Sequence, residues 1–218
     1  MVKSEHVQKP IYYRWAFFVC STIYNKIIDN KMNTDLYVDF MRRYGTLTAE
    51  AEADLRGRVQ ALQRAKGQTI IRTGQVASSC FLVEQGMVRS YYQHGGKQVT
   101  IWFAGENDFA ASISSLYNDQ PSCETVECIE DSRFLYITNR DMQELCHRYE
   151  CINTINRKMT EEYCIVLNNR IYSFQVLSAA ERYHELQETE PDVLQRAPLQ
   201  YIASYLGISQ ETLSRIRH

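Results

Sequence analysis

The chain has no CxxC pair and an odd set of seven dispersed cysteines: Cys20, Cys80, Cys123, Cys128, Cys146, Cys151 and Cys164. Neither a zinc site nor a disulfide framework is signalled, and free thiols acting as small apolar side chains suit a reducing compartment. There is no HxH pair, no GxSxG elbow and no Walker loop, which removes the usual footing for metal-dependent, hydrolytic or nucleotide-hydrolysing chemistry. The expectation is a protein that is not an enzyme and holds no metal or cofactor. Charge is balanced, with 24 Lys and Arg against 26 Asp and Glu for a net charge of −2. No global field draws it to nucleic acid or anionic lipid, so any DNA contact must come from a local patch. No apolar run approaches the roughly 18–20 residues that span a bilayer. The densest, Trp15 to Cys20 within 11–28, is interrupted nearby by Arg14, Asn25 and Lys26. No small-x-small cleavage site follows it, so the expected location is cytoplasmic, without membrane partners. Met32 reads as an ordinary domain start, which makes residues 1–31 an N-terminal extension and a candidate mis-assigned beginning.

What is present suits a globular core: 218 residues, 44% hydrophobic and 23% charged. Residues 35–44 read as a short amphipathic helix with Leu36, Phe40, Met41 and Tyr44 on one face. Thr48 caps a second helix, with Glu50 and Glu52 in its first turn and an apolar stripe of Leu55, Val59 and Leu62. Past Lys66-Gly67 the period changes to that of strands, at 69–71, 80–84, 88–92, 98–103, 123–129 and 132–138, punctuated by Gly74, Gly86, the turn His94-Gly95-Gly96-Lys97 and Gly105. Short strands between glycine turns indicate an antiparallel sandwich or jelly roll. From Asn139 to Phe174 no glycine or proline occurs, enough for a short helix and a long one. In the long one Ile152, Ile155, Met159, Tyr163 and Val166, then Arg170, recur at steps of three and four. This stripe either lies on its own domain or pairs with a second copy across a dimer axis. The second reading makes residues 146–176 a dimerisation helix.

The segment from Pro198 to His218 is the most informative. Pro198 suits the first turn of a helix buried through Ile202, Ala203 and Leu206. Gly207 provides the left-handed residue that ends it, and Ser209 caps the next helix. Leu213 and Ile216 then point inward, while Gln210, Glu211, Ser214, Arg215 and Arg217 point outward. Two short helices joined by a glycine turn, the second faced with Arg, Gln and Glu, form a DNA-binding helix-turn-helix. Arg can bond guanine, Gln adenine, and Glu cytosine, whereas Thr212, Ser214 and the helix N-terminus that Ser209 caps suit phosphates. The region from 178 onward carries six acids (Glu181, Glu185, Glu188, Glu190, Asp192, Glu211) against four bases (Arg182, Arg196, Arg215, Arg217). The bases at the far end must therefore suffice, with modest affinity and a shallow salt dependence.

The order of parts resembles the Crp/Fnr superfamily of bacterial regulators over roughly residues 35–218. The resemblance is carried by FLVEQGMVRSYY (81–92), KQVTIWFAGENDF (97–109), LSAAERYHEL (177–186) and IASYLGISQETLSRIR (202–217). It implies an α+β chain divided into an extension (1–31), an effector-sensing antiparallel β-roll with flanking helices (32–145), the long dimerisation helix (146–176) and an all-α helix-turn-helix domain (177–218). It also implies a homodimer reading a palindromic operator in double-stranded DNA, with RNA polymerase as a candidate partner and base contacts at Gln210, Glu211 and Arg215. Ala110, Ala111, Ser112, Ser122 and Cys123 fall where relatives that bind cyclic AMP hold the nucleotide. The Glu that holds the ribose and the Arg that holds the phosphate are missing there, so an unidentified effector other than cyclic AMP is expected. The competing reading is a sensor or interaction module that acts through protein partners without DNA.

Overall fold

The computed structural model describes residues 33–217; the expectations for residues 1–31, Cys20 among them, lie outside this range. Helix α1 (Thr34–Arg42) buries Tyr37, Val38, Phe40 and Met41. Helix α2 (Ala49–Arg58) starts at Thr48, whose hydroxyl accepts from the Ala51 amide at 3.2 Å. The apolar stripe expected to reach Leu62 stops earlier, because Val59 turns extended (ψ 134°) and closes the helix. Residues Gln60–Arg64 become strand β1 instead, paired antiparallel with the last strand over five residues. Pairing with a neighbouring strand thus overrides the helix-compatible composition of QALQR.

Seven further strands follow: β2 (Thr69–Ile71), β3 (Ser79–Gln85), β4 (Val88–His94), β5 (Lys97–Ala104), β6 (Phe109–Ala110), β7 (Glu124–Cys128) and β8 (Ser132–Thr138). They form two antiparallel four-stranded sheets, ordered β1-β8-β3-β6 and β2-β7-β4-β5. Ile71, Val83, Val88, Val126 and Phe134 fill the space between them. β6 and the short helix α3 (Ile113–Asn118) were not foreseen; two residues of strand and one and a half turns of helix are too short to show a period. Gly86, between β3 and β4, has φ +97°, and a Cβ there would lie 2.3 Å from the Ser132 hydroxyl and 2.7 Å from the Asp131 carbonyl. Only glycine fits this turn.

Helix α4 (Asn139–Arg148) is capped by Thr138. After a break at Tyr149 comes α5 (Glu150–Val176), 27 residues long and starting four residues later than the expected 146. A second core joins the start of α5 to the outer face of the roll: Ile152 and Ile155 meet Tyr37, Met41, Leu55, Leu82, Leu135 and Leu145. Beyond it lie α6 (Ala179–Thr189), opened by a capping box of Ser178 and Glu181, α7 (Pro191–Arg196), α8 (Leu199–Tyr205) and α9 (Gln210–Arg217). The architecture is α+β, an antiparallel roll followed by a long helix and an all-α end. A third core spans both parts: Met87, Phe103 and Ile129 of the roll pack with Leu186, Val193, Ala197, Ile202, Ala203, Leu206 and Leu213.

Candidate nucleic-acid interface

The α8–α9 pair is built from local rules. Pro198 stands just before α8 rather than in its first turn, and its carbonyl accepts from Tyr201 and Ile202. Gly207 adopts φ +69°. Its amide bonds Ser204 at 3.1 Å and the next, on Ile208, bonds Ala203 at 3.0 Å. That double closure is the Schellman arrangement, and it turns the chain sharply into α9. The Ser209 hydroxyl accepts from the Thr212 amide at 3.1 Å and also holds the Glu211 carboxyl below its ordinary range, with Arg215 adding to the effect. Ile202, Ala203, Leu206 and Leu213 are buried. Gln210, Glu211, Ser214, Arg215 and Arg217 are exposed, as is Ser209, whereas Thr212 and Ile216 are half-buried.

The four arginines of this region have separate fates. Arg182 donates to the carbonyls of Leu177 and Leu206, and Arg196 bridges Glu106 at 2.7 Å and Glu130 at 2.7 Å on the roll. Both are consumed by the fold. Arg215 makes only long contacts of 3.4 Å with the Glu211 carbonyl and the Thr212 hydroxyl, so its guanidinium is free to reach outward. Among the described residues from 178 onward, the arginines left available are therefore Arg215 and Arg217.

The stripe named for a dimer needs correction. Ile152 and Ile155 are fully buried in their own chain, Met159 packs on the same core, and Tyr163 is half-buried; of the five only Val166 is exposed. The start of α5 thus lies on its own domain. Farther along, another stripe faces out: Thr160, Cys164, Leu167, Ile171 and Phe174, spaced four, three, four and three. Leu167, Ile171 and Phe174 are between 44% and 56% exposed. Two stripes of the same spacing wind along one helix, and nothing in the spacing tells which is covered.

Of the residues aligned with a nucleotide site, Ala110, Ser112 and Ser122 are buried, Ala111 is half-buried and Cys123 is exposed. Ser122 donates to Ser112 at 2.9 Å, and the Ser122 hydroxyl also accepts from the Glu124 amide at 3.1 Å. The Glu124 carboxylate, 8% exposed, accepts from Ser90. The pair thus meets Glu124 through its backbone, while the Glu124 carboxylate turns to Ser90.

Sequence reasoning missed Arg89, Arg170, Arg196, Tyr201 and Ser204, which join the helical domain to the rest. Arg89 is an ordinary strand arginine in sequence, yet it is 1% exposed. Arg170 lies 3.6 Å from the ring centre of Tyr205 and 4.3 Å from that of Phe174. No motif marks the contact with Tyr205, which lies 35 residues along the chain.

Residues 62–149 match the family model of the cyclic nucleotide-binding domain. No curated protein sequence matches the chain. Among solved structures, FixK2 from Bradyrhizobium japonicum is similar with a TM-score of 0.60 and 18% identity, over 73% of this chain and 82% of that one. A CooA variant from Carboxydothermus hydrogenoformans is similar with a TM-score of 0.59 and 16% identity, over 88% and 84%. The Thermus thermophilus catabolite activator protein has a TM-score of 0.52 and 21% identity, over 80% and 84%. These likenesses show a shared fold.

Proposed function

From a roll that matches the cyclic nucleotide-binding domain, in a chain with the fold of Crp/Fnr-type regulators, we propose a DNA-binding transcription regulator. The observation that carries this reading is the α8–turn–α9 unit: a Schellman turn, a capped second helix and an exposed face of Gln210, Glu211, Ser214, Arg215 and Arg217. Arg215 reads a guanine edge, Gln210 and Glu211 reach neighbouring bases, and Ser209, Thr212, Ser214 and Arg217 meet phosphates. The protein pairs through Cys164, Leu167, Ile171 and Phe174 of α5, so two copies present α9 to a palindromic operator with RNA polymerase as a candidate partner.

The roll senses an effector that is not cyclic AMP. The Ser112–Ser122 pair supports this, since two neutral hydroxyls that bond each other offer a phosphate no charge and the sequence has no Arg or Lys between 110 and 123. The deciding experiment is selection of retained sequences from a random double-stranded DNA library. Enrichment of an inverted repeat with half-sites about one helical turn apart is expected. A folded, dimeric protein that enriches nothing would leave two readings: an effector required for DNA binding and missing from the assay, or the partner-binding module.

A further inference from the structure

The helical end of the chain is fixed at points on β4, the edge strand β5 and two loops of the roll, and on α5. The first is Arg89. Its neighbour Val88 points into the core between the sheets, so Arg89 lies on the outer face, where an arginine is normally solvated. It is 1% exposed because α8 covers it: the Tyr201 ring centre lies 3.3 Å from the guanidinium, with Tyr91 on another side at 4.4 Å. Its charge is met at 2.8 Å by Glu127, directly opposite on β7, and its remaining donors reach Gln98 and Thr100 of β5.

The second point is the rim of the sheet. β5 is an edge strand, and such edges leave amides and carbonyls unpaired. The Ser204 hydroxyl of α8 accepts from the Thr100 amide at 2.9 Å and donates to the Gln98 carbonyl at 3.2 Å, doing for β5 what a neighbouring strand would do. The third is Arg196 of α7, which bridges Glu106 and Glu130 in two loops of the roll. Phe103 stacks edge-on against Tyr205 at 5.4 Å, and Gly207 in the turn approaches Phe174 so closely that a Cβ would lie 2.9 Å from its ring.

We propose that Arg89, Arg196, Tyr201 and Ser204 form a clamp that fixes the angle of α9 relative to α5, and hence the half-site spacing that a dimer accepts. The inference rests on the reading of the chain as a dimeric DNA-binding regulator. The clamp leaves Gln210, Glu211, Ser214, Arg215 and Arg217 exposed, so it orients the reading face without covering it. α9 touches the body through α8 and through Leu213 in the shared core, so it turns with α8. Restricting that rotation before DNA arrives lowers the ordering cost for operators of one spacing alone.

The test compares the wild type with Tyr201→Ala/Ser204→Ala, Arg196→Gln and Tyr201→Phe. The DNA probes are duplexes carrying the selected half-site as an inverted repeat, with the spacer varied through one helical turn. Wild type and Tyr201→Phe, which keeps the stacked ring, are expected to favour one spacing by about tenfold or more over a half-turn displacement. The double variant is expected to bind all spacings within about threefold, with single half-site binding unchanged, and Arg196→Gln to fall between. A double variant with undiminished spacing preference overturns the clamp.

Deuterium exchange judges the clamp without DNA. The amides of α6 to α9 are expected to exchange about tenfold faster in the double variant, with β3, β8 and the start of α5 unchanged. Unchanged exchange in α8 overturns the clamp even if the wild type selects no half-site, an outcome that by itself defeats only the regulator reading.

Discussion

Arg215 and Arg89 carry the same guanidinium to opposite ends. Arg215 sits exposed in the last turn of α9 with only two contacts at 3.4 Å, so replacing it leaves the fold alone. Arg215→Ala is expected to cost about 1–3 kcal/mol of specific DNA affinity while thermal stability stays unchanged; anisotropy titration of the selected operator measures the loss. Arg89 is enclosed by Glu127, Thr100, Gln98 and two tyrosine rings, and its removal would strand Glu127. Gly86 makes a different demand. Its φ of +97° and the backbone 2.7 Å from a would-be Cβ leave no room for any side chain. Gly86→Ala is expected to destabilise the roll by at least ~2 kcal/mol, read from denaturant unfolding.

Among the elements, α5 has two apolar faces with different partners, and substitutions separate them. Ile152→Ala opens a cavity in the chain's own core and is expected to cost about 2–5 kcal/mol of folding stability without changing the mass of the assembly. Leu167→Glu or Ile171→Glu places a charge on the exposed stripe; the expected result is a folded monomer by sedimentation. Cys164 gives an independent reading, since it is exposed on that stripe and two copies would face each other across the axis. In a Cys123→Ser background, which removes the other exposed thiol, a bismaleimide is expected to link the dimer through Cys164 and to lose this ability when Cys164→Ser is added. Cys80 does not compete, because burial pushes its thiol up to about 12. The strands were largely legible in the sequence, because glycine turns and β-branched runs mark them. β1 was not, since Gln60 to Arg64 has no strand signal until β8 is alongside.

For the molecule as a whole, the junction of the helical domain with the roll carries a titrating group. Glu190 closes α6 and opens α7, half-buried near Asp108 of the roll, Arg170 of α5 and Glu185 of α6. Burial lifts its carboxyl from 4.5 to about 7, Asp108 adding to the rise and Arg170 opposing it. A carboxyl raised in the folded state stabilises the fold below its unfolded value and loses that contribution as pH climbs through the folded one. The melting temperature is therefore expected to fall between about pH 4.5 and 7 through this group, and Glu190→Gln to flatten that part of the profile. A slope unchanged in the variant would assign the titration elsewhere.

The sequence by itself determined the broad order of strands and helices and the detail of the α8–turn–α9 unit. Gly207, Ser209 and the inward Ile202, Ala203, Leu206 and Leu213 obey rules that operate within one or two turns of chain, so they can be read one residue after another. Only the tertiary structure decided which stripe of α5 is covered, that Ser112 and Ser122 bond each other, and that Arg89 and Arg196 hold the helical domain while Arg215 and Arg217 remain free. Those outcomes depend on surfaces that meet from positions as much as a hundred residues apart, such as Ser204 on β5. Local periodicity carries no record of such a meeting.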